Sequence, residues 1–209
     1  MSSLAAAEDH AMSVPTKVIQ PAWVRVMHWI NALAMILMIM SGWQIYNASP
    51  LFDFRFAKAI TLGGWLGGAL LWHFAAMWLL MVNGLAYLIT GLATGRFRNK
   101  LFPITPKGVF TDLKAALTFK LAHDDLSAYN YVQKLLYAGI IVVGVVIVLS
   151  GLSIWKPVQL QYLTALFGGY DVARYVHFVC MSLICLFLIV HVALALLVPK
   201  SLRAMIIGH

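Results

Sequence analysis

Two histidines, His177 and His191, share one apolar stretch and stand fourteen residues apart, and His28 and His73 lie in two other apolar stretches. Imidazole is the commonest metal ligand among side chains, and ionisable groups inside an apolar span are costly enough to mark function. Fourteen residues is close to four turns of α-helix, so both side chains face the same way, about 21 Å apart along the axis. That is most of the thickness of a hydrocarbon core. Four such imidazoles at two depths indicate two stacked metal centres. With no carboxylate or usable thiolate nearby, each centre has two protein ligands. Bare zinc or copper wants more, whereas two axial imidazoles complete a haem. An iron so held has no open position for oxygen or substrate, which favours electron transfer over catalysis at the metal.

The elements that must hold these histidines follow from composition. Hydrophobic residues make up 62% of the 209-residue chain and charged residues 11%, far from a soluble domain. The surroundings must be lipid. Four spans of roughly the required length are read at about 23–46, 65–92, 132–155 and 175–198. Trp23, Trp43, Trp65 and Trp155 fall near span ends, where aromatic belts form. The expectation is an all-α integral membrane protein, a four-transmembrane-helix bundle making a single domain over 1–209. Residues 1–20 lack a basic start and carry Glu8 and Asp9, so no cleaved signal is expected. Cys180 and Cys185, five residues apart on one helix, point to different faces and read as small apolar packing residues.

Charge sets the orientation. Lys17, Arg25, Arg96, Arg98, Lys100, Lys107, Lys114, Lys120, Lys134, Lys200 and Arg203 fall on one side, and only Arg55, Lys58, Lys156 and Arg174 on the other. The positive-inside rule then puts both termini and the loop 94–131 in the cytoplasm. Topology and anionic lipid account for the net charge of +8 without a nucleic-acid partner. Within the loop, Thr111 to Lys120 places Leu113, Ala116, Leu117 and Lys120 on one side. That reads as an interfacial helix, started near Pro103 and Thr105-Pro106 and ended by His123-Asp124-Asp125. Depth then pairs the histidines, His73 with His177 on the outer side and His28 with His191 on the inner side.

Arg25 and Arg174 each precede a histidine by three residues and so share its helix face, and Arg203 lies just past the fourth span. All three are candidates for haem propionates, with interfacial snorkelling as the alternative. Ser41-Gly42 and Ser150-Gly151 both sit at the outer ends of odd-numbered spans, an echo of an internal repeat. Glycines in the spans suit either close helix packing or a flat macrocycle.

His28, His73 and the His177–His191 pair, with Arg25-Val-Met-His28-Trp29, Tyr129-Asn130-Tyr-Val-Gln133-Lys134 and Ser150-Gly-Leu-Ser-Ile-Trp155, resemble the bacterial cytochrome b561-type family. The likeness extends over about 21–203 and is to the di-haem cytochrome b subunits of respiratory formate dehydrogenases and membrane-bound nickel–iron hydrogenases. It implies two haems b on the four histidines and electron exchange between the quinone pool and a periplasmic redox partner of the molybdenum or nickel–iron type. It also implies a quinone pocket beside the inner haem at Asn130 and Gln133. Spacing alone equally allows these two to cap the third span. The short outer loops, 47–64 and 156–174, leave the partner open, and a homo-oligomer is open too. The rival reading is a self-sufficient quinone oxidoreductase of the same architecture, such as a superoxide oxidase.

Overall fold

A computed structural model of the chain describes residues 18–118 and 129–208. Four long helices dominate it: α1 (Ala22–Ala48), α2 (Leu66–Ala93), α5 (Tyr131–Trp155) and α7 (Tyr170–Leu197). Shorter helices α3 (Arg96–Leu101), α4 (Pro106–Leu117), α6 (Gln161–Leu166) and α8 (Pro199–Ile207) connect or follow them, and a 3-10 turn covers Lys58–Ile60. No strand occurs among the described residues. All four long helices are long and apolar enough to cross a membrane. The protein is an all-α, four-span membrane bundle.

The packing is that of a protein solvated by lipid. Ala34, Ser41, Ala69, Ser150, Ser153 and Ala173 are fully buried, whereas Leu71, Ile89, Ile189 and Leu197 face outward. Small residues at the helix seams let backbones approach, and the large apolar side chains meet the acyl chains. α1 packs along α2, and α5 along α7, as two antiparallel hairpins whose backbones meet only sparsely across the middle. The histidines lie along that middle space.

Both described ends of the chain meet at the basic face. The Ile19 and Gln20 amides donate to the Gly208 carbonyl at 2.8 and 3.3 Å. Arg25 Nη1 and Trp29 Nε1 donate to the Ile206 and Met205 carbonyls, which seats α8 beneath the start of α1. α4 lies against α5, and Asp112 Oδ2 accepts the Tyr131 amide at 2.6 Å. At the other face the loop after α1 folds back on itself: Asn47 exchanges two 2.8 Å hydrogen bonds with the Phe56 backbone. Tyr46, Phe52 and Phe54 pack there against Phe178 of α7.

Span boundaries fall close to the expected ones, with one shift. α7 starts at Tyr170 rather than 175, because the helix runs past the apolar stretch through Asp171 and Arg174. The stretch Thr111 to Lys120, read as a helix, overlaps α4, which begins earlier because Pro106 opens it, and α3 precedes it unannounced. Lys120, the His123-Asp124-Asp125 run, Lys17, Glu8 and Asp9 lie outside the described residues.

Candidate functional site

The outer histidines are held by matching clamps. His73 Nδ1 lies 3.0 Å from Ser41 Oγ, whose hydroxyl donates to the Leu37 carbonyl at 2.6 Å. That donation spends the Ser41 proton, so its oxygen accepts from the His73 Nδ1–H. On the other hairpin, His177 Nδ1 lies 3.1 Å from Ser150 Oγ and 3.0 Å from the Ile147 carbonyl. A carbonyl oxygen only accepts, so Nδ1 carries the proton and Nε2 keeps the lone pair. Fixing Nδ1–H on a backbone carbonyl is how a protein orients an imidazole as a metal ligand. The glycines after the two serines complete the clamps: a Cβ on Gly42 would stand 3.5 Å from His73 Cε1, and one on Gly151 3.1 Å from His177 Cε1. The echo in Ser41-Gly42 and Ser150-Gly151 is therefore a repeated contact, each pair touching the outer histidine of the next span in its hairpin.

The inner histidines face each other directly. The rings of His28 and His191 have centroids 6.0 Å apart. Trp29 meets His28 edge-on and Phe187 stacks on His191 at 5.5 Å. A metal–imidazole bond is about 2.0–2.1 Å, so two imidazoles on opposite sides of one ion have centroids roughly 6 Å apart. Helix rise gives the distance between levels twice over. His28 to Ser41 on α1 and His191 to His177 on α7 each span about 20 Å.

The family model for prokaryotic cytochrome b561 matches residues 19–208. The chain belongs to the prokaryotic cytochrome b561 family. A relative from Azospira oryzae named "Putative protein-methionine-sulfoxide reductase subunit YedZ1" is 53% identical over 198 residues, covering 95% of this chain and 100% of that protein. Membership makes this a multi-pass protein of the bacterial inner membrane that binds b-type haem and transfers electrons across the membrane.

The residues present fit such a group. No set of three or more His, Cys, Asp or Glu gathers among the described residues, and a pair of imidazoles is the donor set of a haem that brings its own four nitrogens. Two buried donors have no partner among the described residues, Arg25 Nε and Trp43 Nε1. Arg25 lies one turn before His28, and Trp43 follows the Gly42 that touches His73.

The other candidates fall out as follows. Arg174 Nη2 donates to the Ser49 carbonyl at 2.7 Å and to its hydroxyl at 3.1 Å, tying α7 to the end of α1. Arg203 is exposed. Asn130 and Gln133 form a capping box at the start of α5: Asn130 Oδ1 accepts the Gln133 amide at 2.7 Å, and Gln133 Oε1 accepts the Asn130 amide at 3.1 Å. Both carbonyl oxygens are thus used by the cap. Cys180 and Cys185 are free thiols, Cys185 lying 3.6 Å from Met181 Sδ. Sequence reasoning missed Asn83, Asn31 and the unpartnered Trp43 indole. A polar side chain inside an apolar span was the available signal for the two asparagines.

Proposed function

We propose that this protein carries electrons between the quinone pool and a periplasmic redox enzyme, with His73 and His177 holding an outer haem b and His28 and His191 an inner one. The observation that carries this is the pair of facing inner rings at 6.0 Å, set against the two clamped outer rings about 20 Å away along the helices. A haem b between two imidazoles supplies a reversible one-electron ferric/ferrous couple. Ser41, Ser150 and the Ile147 carbonyl orient the outer rings and fix their tautomer. The aromatic cover of Tyr46, Phe52, Phe54 and Phe178 keeps water from the outer level. Arg25, Arg174 and Arg203 supply positive charge for the haem carboxylates at the two ends. Gln133, whose amide hydrogens the cap does not use, is the donor for a quinone carbonyl beside Asn130.

The relative's name points to a methionine-sulfoxide-reducing partner, a molybdenum enzyme rather than a nickel–iron one on this reading. A periplasmic reductase consumes electrons, so quinol is the source and charge moves outward. An inside-negative potential favours that by ~2.3 kcal/mol per 100 mV for a full crossing, hence ~1.5 kcal/mol over the 20 Å between levels in a ~30 Å core. The test is anaerobic: a short-chain quinol added to the purified protein reduces its b-type α-band, and the periplasmic reductase with a sulfoxide reoxidises it. Failure of quinol to reduce the α-band contradicts the proposal. Quinone reduction by superoxide, with no partner present, supports the self-sufficient enzyme instead.

A further inference from the structure

The inner histidines lack what the outer ones have: no hydrogen bond from a described residue fixes the ring of either His28 or His191. What holds α1 at that level is an amide from the neighbouring helix. Asn83 of α2 is buried, with 8% of its surface exposed. Its Nδ2 donates to the Met27 carbonyl at 2.8 Å and to Asn31 Oδ1 at 2.7 Å. Met27 immediately precedes His28 and Asn31 lies three residues beyond it, so one side chain grips α1 on both flanks of the histidine. We propose that Asn83, through Met27 and Asn31, is the positioning residue that sets the rotation of α1 and so aims His28 at His191.

The location argues against a mere packing role. Elsewhere on α1 and α2 the fully buried Ala34 and Ala69 need no polar group. A carboxamide here would leave its hydrogens unsatisfied in hydrocarbon unless α1 presents the two acceptors at this one rotation. The lever is steep. A side-chain tip lies ~6 Å from its helix axis, so a 10° turn of α1 moves the imidazole by ~1 Å, while ligand distances tolerate about 0.2 Å. Another polar bridge between these helices, Ser41 to His73, pins α1 about three turns away. Together the two contacts fix both the height and the rotation of α1 against α2.

The proposal rests on reading His28 as an inner haem ligand. The experiment uses the full chain, purified with its haems, and resolves the two low-spin haem signals by electron paramagnetic resonance and redox titration. His28→Leu and His73→Leu assign the inner and outer signals. Asn83→Leu is expected to shift the inner g-values and midpoint potential and to speed inner-haem loss on the order of 10-fold, with the outer signal unmoved. Asn83→Gln, which restores an amide donor, returns the inner signal toward the native one. Asn31→Ala keeps the Met27 contact and gives a smaller shift of the same signal, which decides the matter if Asn83→Leu does not fold. An unchanged inner signal in folded variants, or equal movement of both signals, overturns the positioning role. Retention of both signals in His28→Leu instead removes the ligand assignment on which it stands.

Discussion

Gly151→Ala is the most sensitive single-methyl probe of the outer centre. The added Cβ stands 3.1 Å from His177 Cε1 and 3.4 Å from Nδ1, and relief to ordinary carbon contact needs a shift of ~0.4 Å. The ring has little freedom to give. Its bonds to Ile147 and Ser150, at 3.0 and 3.1 Å, come from the same helix that carries Gly151. Retreat from the methyl therefore stretches both toward the 3.5 Å limit of a useful hydrogen bond. Overpacking of this kind costs about 1–3 kcal/mol, and the displacement exceeds the roughly 0.2 Å that metal–ligand distances tolerate. On the order of 10-fold weaker retention of the outer haem is expected. Gly42→Ala is the matched control, because its Cβ meets His73 at 3.5 and 3.9 Å, which is plain van der Waals contact. The assay is haem content by pyridine haemochrome after gel filtration, with low-spin signals recorded in parallel. Gly151→Ala should fall toward one haem per chain while Gly42→Ala stays at two. Native haem content in Gly151→Ala, or a greater loss in Gly42→Ala, refutes the clamp geometry.

Replacing His73 or His177 by alanine should remove the outer haem alone, and replacing His28 or His191 the inner haem alone, each leaving about one haem per chain by the same quantitation. Asn130→Ala should lower the thermal midpoint through loss of about 1 kcal/mol of helix capping and leave both haem spectra unchanged, as read by differential scanning calorimetry and optical spectra. Gln133→Leu should weaken quinol-dependent reduction of the haems, raising the quinol concentration needed for half-maximal rate with haem content intact.

Much of this architecture is legible in the residue order. Four dense apolar stretches leave few alternatives to spanning helices, and charge asymmetry orients them, so the depth of each histidine follows before any tertiary contact is known. The charged start of α7, with Asp171 and Arg174, hides one and a half turns of helix because hydropathy marks only the part that meets lipid. The Ser-Gly repeats are visible as words but not as clamps, since what Ser41 and Ser150 touch depends on how the hairpins close. Asn130 and Gln133 carry two chemically sensible uses, and spacing cannot choose between an amide that caps a helix and one that meets a quinone. Asn83 is the least legible. One polar residue in an apolar span announces a partner, but that its acceptors flank His28 is set by the crossing of α1 and α2.

Two imidazole pairs at two depths would hold two haems, so haem stoichiometry reads the arrangement out. Pyridine haemochrome quantitation on purified, native protein, with a reduced-minus-oxidised spectrum, should give two haems b per chain, both low-spin. A value of one haem per chain, or a spectrum without a b-type α-band, contradicts the account.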